Sequence, residues 1–167
     1  STKNNLQVLF EDNHIIVINK RVGDIVQGDK TGDAPLSDIV KEYLKDKYQK
    51  PGAVFLGVVH RLDRPTSGIV IFAKTSKALT RLNEIFKNRE SNKIYWAVVK
   101  GFPEPEQNRL VHYLKRNPTN NTSKAYLKAV PESKEAILDY KIIQKLNQYS
   151  LLEIQLHTGR HHQIRSQ

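Results

Sequence analysis

The chain contains neither cysteine nor methionine, and acidic residues are outnumbered by basic ones across its 167 positions. Without cysteine, disulfides and thiolate metal sites are excluded. No stretch approaches the roughly 18 consecutive apolar residues of a membrane-spanning helix. The opening residues Ser1-Thr2-Lys3-Asn4-Asn5 are polar and lack the apolar core of a signal peptide. These absences make the cytoplasm the default address. There is no Gly-x-x-x-x-Gly-Lys phosphate loop, no Gly-x-Gly-x-x-Gly fingerprint and no His-Glu-x-x-His pair. Ser67 lies in Thr-Ser-Gly, outside the Gly-x-Ser-x-Gly context of a serine hydrolase. No cofactor and no metal are expected.

What the chain has in excess is positive charge. Its 27 Lys and Arg against 17 Asp and Glu give a formal net charge of +10. Such an excess suits a polyanion, because cationic side chains displace counterions from a phosphate backbone. A solvated, solubility-promoting surface is the plain alternative. Nucleic acid is preferred to an anionic membrane, since neither helix candidate has a basic face with aromatic anchors.

The length fits one domain with a real core. Leu6–Phe10 and Ile15–Asn19 are strand candidates joined by a tight turn at 11–14. Leu36, Ile39, Val40, Tyr43 and Leu44 recur at helical spacing, so 35–48 reads as a helix covering a sheet. Val54–Val59 and Ile69–Ala73 read as strands. Ser76 reads as the N-cap of a second helix carrying Leu79, Leu82, Ile85 and Phe86 on one side. Ile94–Val99 is a strong strand, and 115–124, KRNPTNNTSK, reads as a polar surface loop. EAILDYKIIQKL and YSLLEIQL alternate around Asn147-Gln148 and predict a hairpin. Many strands in hairpin order with few helices argue for α+β, a largely antiparallel or mixed sheet flanked by helices.

Three stretches carry concentrated chemistry: HRLDRPTSG (60–68), NKIYWAVVKG (92–101) and LHTGRHHQIR (156–165). Asp63 lies between Arg61 and Arg64, which favours its ionised form. An ionised carboxylate serves as nucleophile or electrostatic stabiliser and is a poor general acid. A turn aspartate bonding backbone N–H groups is the bland alternative. His157, His161 and His162 suggest a metal only weakly. His161 and His162 are adjacent and cannot face one way on a helix or a strand. Structural and RNA-contacting histidines are the better reading.

HRLDRPTSG resembles the signature of the RluA-type pseudouridine synthases, in which His-Arg-Leu-Asp is followed two residues later by Thr-Ser-Gly. Lys93-x-Tyr95-x-Ala97-x-Val99-x-Gly101 resembles the second motif of that family. Leu156-x-Thr158-Gly159-Arg160-x-His162-Gln163-Ile164-Arg165 resembles the third. VLFEDNHIIVINK resembles the first hairpin. The resemblance implies a pseudouridine synthase-like catalytic domain acting on structured RNA, either ribosomal or transfer RNA. It implies that Asp63 acts at C1′ of a flipped-out uridine. Arg165 would pair with the aspartate, and Tyr95 would pack against the base and help remove the C5 proton. Ile164 would line the pocket, and Arg61 would fill the space the uridine leaves. His60, Leu62, Thr66, Arg160 and His162 are the remaining motif residues expected at the substrate. Lys74, Lys77, Arg81, Lys87 and Arg89 would bind the RNA backbone.

Two rivals remain: a non-catalytic RNA-binding protein retaining the fold, and a hydrolase using Asp63. The hydrolase needs a second carboxylate, and the three motifs offer none. The chain departs from the family in reading Lys20-Arg21-Val22-Gly23 where Lys-Pro-x-Gly is usual. It also stops soon after the third motif. The expectation is therefore a single catalytic domain over 1–167, without an S4 domain, lacking its C-terminal part, and monomeric.

Overall fold

Two short apolar runs at the start of the chain pair as a hairpin of β1 (Val8–Glu11) and β2 (Ile15–Lys20). Asp12 holds the turn, its Oδ1 accepting from the N–H groups of His14 and Ile15 at 2.7 Å each. The computed structural model describes residues 1–29, 31–88 and 90–167. Their contacts divide into two units, Ser1–Glu90 and Ser91–Gln167.

In the first unit, β2 pairs with β4 (Gly68–Ala73), which pairs in turn with the short β3 (Gly57–Val58). The order is β1-β2-β4-β3, antiparallel throughout. Helix α1 (Leu36–Lys47) lays Leu36, Val40 and Leu44 against Ile16, Ile18, Val70 and Phe72. Its first N–H groups, Leu36 and Ser37, are taken by the carbonyls of Ile25 and Val26, which replaces a side-chain cap. Helix α2 (Ser76–Lys87) is capped by Thr75, whose hydroxyl accepts from Ala78 N–H at 3.1 Å. Ser76, expected as the cap, is instead the first helical residue. The strand expected over Val54–Val59 shrinks to two residues. Val54 and Leu56 still pack against the core, so their apolar character reports burial without a ladder.

The second unit is an antiparallel sheet in the order β5-β9-β8-β6-β7. Its strands are β5 (Lys93–Lys100), β6 (Gln107–Asn117), β7 (Thr122–Tyr126), β8 (Lys134–Lys145) and β9 (Tyr149–Leu156). Leu138, Tyr140, Leu152 and Ile154 form its core. The polar loop expected over 115–124 is the end of a hairpin: Asn117 pairs with Thr122, and only residues 118–121 turn. Two-sided polarity hid β6 and β7, because Lys115, Arg116 and Lys124 sit on paired strands. The unit ends in the short α3 (Gln163–Ser166). The α+β, antiparallel expectation holds in both units. Among the described residues, no helix is long and apolar enough to cross a membrane.

Candidate active site

Asp63 stands in the first unit, on the connection from β3 to β4. Thr66 N–H donates to the Asp63 carbonyl at 3.0 Å, closing a turn with Arg64 and Pro65 at its centre. The turn runs straight into β4 through Gly68, whose φ of 135° is rarely open to a residue with a side chain. Leu62 packs against the core of the unit and anchors the turn from one side. His60 anchors it from the other. Its Nε2 accepts from the Ile71 N–H at 3.0 Å, and its ring stacks on Phe86 with centroids 5.0 Å apart. A neutral ring accepting at Nε2 carries its proton on Nδ1.

The arginines on either side of Asp63 differ in use. Arg64 donates to Asp33 at 2.6 Å, so its guanidinium serves the 24–35 connection. Arg61 is exposed. Two donors from the end of β2 reach the carbonyl of Arg64: Gly23 N–H at 2.9 Å and Lys20 Nζ at 3.2 Å. Gly23 does this at φ 92°, again a glycine conformation. Arg21, standing where the family usually has proline, donates from Nη2 to Asn5 O at 3.0 Å. That bond ties the connection to the N-terminal segment.

Lys74 was grouped by sequence with cations for an RNA backbone, and the structure corrects this. Its side chain is largely buried and donates to Glu11 at 2.8 Å and to the Asp12 carbonyl at 2.6 Å. Burial works against the ionised Glu11, but hydrogen bonds from Lys47, Lys74 and Tyr48 outweigh it and draw its pKa down to about 2. Lys77, Arg81 and Lys87 are exposed on α2. Arg89 lies outside the described residues.

Tyr95, Ile164 and Arg165 belong to the second unit. Tyr95 and Ile164 both pack against the core cluster, so the structure brings these two together on one face of the sheet. Trp96, next along β5, points the other way and is exposed. The turn after β9 is held by buried Gln163, a motif residue to which sequence reasoning gave no role. Its Oε1 accepts from Thr158 Oγ1 at 2.8 Å and Arg160 N–H at 3.0 Å, and its Nε2 donates to Ile137 O at 3.1 Å. Arg160 Nε donates to the Glu135 carbonyl at 2.7 Å. Arg165 is exposed on α3.

The adjacent histidines also need correction. His162 takes a left-handed conformation at φ 51°, outside both helix and strand, and the rings of His161 and His162 stack 3.7 Å apart. His161 Nδ1 lies 2.8 Å from Ser123 Oγ. His157 is elsewhere, 2.7 Å from Asp139, whose carboxylate also receives a two-pronged bond from Arg109 at 2.7 and 2.9 Å. The Arg109 guanidinium, with His157 beside it, outweighs burial and holds Asp139 below the usual carboxylate range. Among the described residues no group of His, Asp and Glu is arranged to hold a metal ion.

The family described as RNA pseudouridylate synthase matches residues 14–167. A protein of Chlorobaculum parvum named an uncharacterized RNA pseudouridine synthase is 36% identical over 167 residues, covering 96% of this chain and 50% of its own length. Ribosomal large subunit pseudouridine synthase D of Zymomonas mobilis is 34% identical over 162 residues, covering 96% and 50%. The structure of human RNA pseudouridylate synthase domain containing 4 superposes with a TM-score of 0.78 at 22% identity. It covers 96% of this chain and 62% of that one, a likeness of fold. The chain spans about half the length of the curated relatives it matches. On the match over nearly all its residues, and on relatives above 30% identity, this chain belongs to the RNA pseudouridylate synthase family.

Proposed function

We propose that the protein isomerises uridine to pseudouridine at a defined position in structured RNA, with Asp63 as the catalytic carboxylate. The observation that carries this reading is the turn itself. Within a family-matching chain, Asp63 sits on a short segment fixed by Leu62, His60, Lys20 and Gly23, as a positioned reactive group requires. The reaction breaks the N1–C1′ bond, forms a C5–C1′ bond, loses a proton from C5 and returns one to N1. Atoms and electrons balance with no oxidant and no transferred group. Asp63 acts at C1′, either by direct attack or by assisting proton removal from the sugar. Tyr95 packs against the base and takes part in C5 deprotonation, and Arg165 is the third catalytic residue.

Arg61, Thr66, Arg160, His162 and Ile164 are the proposed substrate contacts. His60 and Leu62 join them through the turn they anchor. The uridine must leave its stack, at a cost of a few kcal/mol, and a planar guanidinium such as Arg61 suits the vacated space. The +10 charge supports a polyanionic partner. Relatives named for the large ribosomal subunit make ribosomal RNA the first substrate to try, with transfer RNA second. A monomer in the cytoplasm, needing neither metal nor cofactor, completes the reading.

The test uses RNA carrying tritium at C5 of uridine. The parent should release tritium and leave mapped pseudouridine. Asp63→Asn should do neither while keeping RNA affinity and melting temperature. Pseudouridine from an Asp63→Asn preparation free of parent enzyme would overturn the assignment.

A further inference from the structure

Helix α3 is a single turn, Gln163–Ser166, and a helix that short does not hold itself, because nucleation is unfavourable without tertiary contacts. Gln163 fixes it from the core side through Thr158, Arg160 and Ile137. A second set of contacts comes from β7, and it converges on Ser123. The Ser123 hydroxyl lies 2.8 Å from Nδ1 of His161, just before the helix. The Ser123 carbonyl accepts from the hydroxyl of Ser166, the last helical residue, at 3.1 Å. Arg165 lies between these two points along the chain.

The His161 ring is itself oriented. Its Nε2 lies 3.1 Å from Asn121 Oδ1, which also accepts from Arg116 Nη2 at 3.1 Å. Arginine can only donate, so the Asn121 atom facing it is the oxygen, and His161 Nε2 carries a proton toward that oxygen. In the neutral ring Nδ1 is then an acceptor, matched to the Ser123 hydroxyl. Position 161 is the open place in the third motif, between Arg160 and His162, and nothing in the proposed reaction uses it.

We infer that His161 is a positioning residue for Arg165: bonded to Ser123 and Asn121, it clamps α3 to the β6–β7 hairpin and so fixes the backbone from which the guanidinium projects. The inference rests on the proposed reaction only for its kinetic consequence. It also gives the polar hairpin a task, since Arg116 and Asn121 hold the ring that holds the helix.

The experiment compares the parent with His161→Ala, Ser123→Ala, the double variant and His161→Asn, whose Oδ1 can take the place of Nδ1 as acceptor. Each is measured for kcat and KM on the RNA that the parent modifies, and for amide hydrogen exchange. For His161→Ala, kcat should fall about tenfold with KM within about twofold, since misplacement of a reactive group costs rate. Ser123→Ala should lose a similar factor, and the double variant no more than the worse single one, because the two side chains act through one contact. His161→Asn should recover most of the rate. The Ser166 and Gln167 amides, which close α3, should exchange about tenfold faster in His161→Ala while Leu138 and Ile154 keep their protection, a local opening. Ser123→Ala serves alone if His161→Ala does not fold. Unchanged kcat or unchanged Ser166 exchange overturns the inference. So do losses that multiply in the double variant, or a rise in KM with kcat intact, the mark of a histidine that touches RNA directly. A parent without turnover would remove the proposed reaction, and the exchange measurement would still decide whether His161 holds α3.

Discussion

In the first unit, Ile16, Ile18, Val70 and Phe72 reach 0–1% exposure beneath the apolar face of α1. In the second, Leu138, Tyr140, Leu152 and Ile154 range from 2% to 9%, and a fringe of half-buried strand residues covers them. The other face of β5 leaves Ile94, Trp96 and Val98 exposed. The unit holding Asp63 is therefore a helix-backed sheet with a sealed core, whereas the unit holding Tyr95 and Arg165 is a broad sheet with a thin one. Stability need not be uniform across a structure. Here the carboxylate is mounted on the more tightly packed part.

The largest effects should come from matched truncations. Ile18→Ala should cost about 4 kcal/mol, because a void between α1 and the sheet has rigid walls on both sides. Ile154→Ala should cost about 2 kcal/mol, because half-buried neighbours such as Ile164 and Tyr95 can settle into the gap. Urea titration of the two variants measures both. Equal losses would break the comparison.

Acid should bring out the contribution of Glu11 next. Glu11, with its side chain 7% exposed, is ionised in the folded first unit down to about pH 2. Its free pKa is near 4.5, so its contribution is complete above that pH and drains away as pH falls toward 2. About 3 kcal/mol is at stake. The parent should lose that stability over this window, and Glu11→Gln, already lacking it at neutral pH, should show a flatter profile there. The smallest effect belongs to the outer face of β5. Val98, 64% exposed, should accept threonine with a change below about 0.5 kcal/mol by the same titration. A larger loss would mean that this face is covered in solution.

Much of this organisation was readable from the amino acids. β2, β4 and β5 stand out as short apolar runs, β8 and β9 alternate because one face of each is buried, and α1 repeats at helical spacing because one stripe is. β6 and β7 were hidden because ladder hydrogen bonds, which no side chain reports, hold Lys115, Arg116 and Lys124 in strands. α3 is four residues long, too short to show a period. In the candidate site, Asp63, Tyr95 and Arg165 were singled out by the resemblance of the three motifs to the family, while the residues alone left Asp63 open to a plain turn role. Lys20 was not, because lysine reads as surface by default. Its inward parity with Ile16 and Ile18 was the available signal. Gln163 was overlooked for a similar reason: its work is to satisfy backbone and side-chain partners brought together only by folding.

Trp96 is the only tryptophan in the chain, and it is 70% exposed on β5. An indole already in water has little solvent left to gain when the chain unfolds. Its emission is therefore a blunt reporter of denaturation, and circular dichroism or hydrogen exchange must follow folding instead. The same exposure makes it a sensitive optical probe of a different event. A molecule settling on the outer face of β5 would shift the emission to the blue, with no label attached and no residue changed.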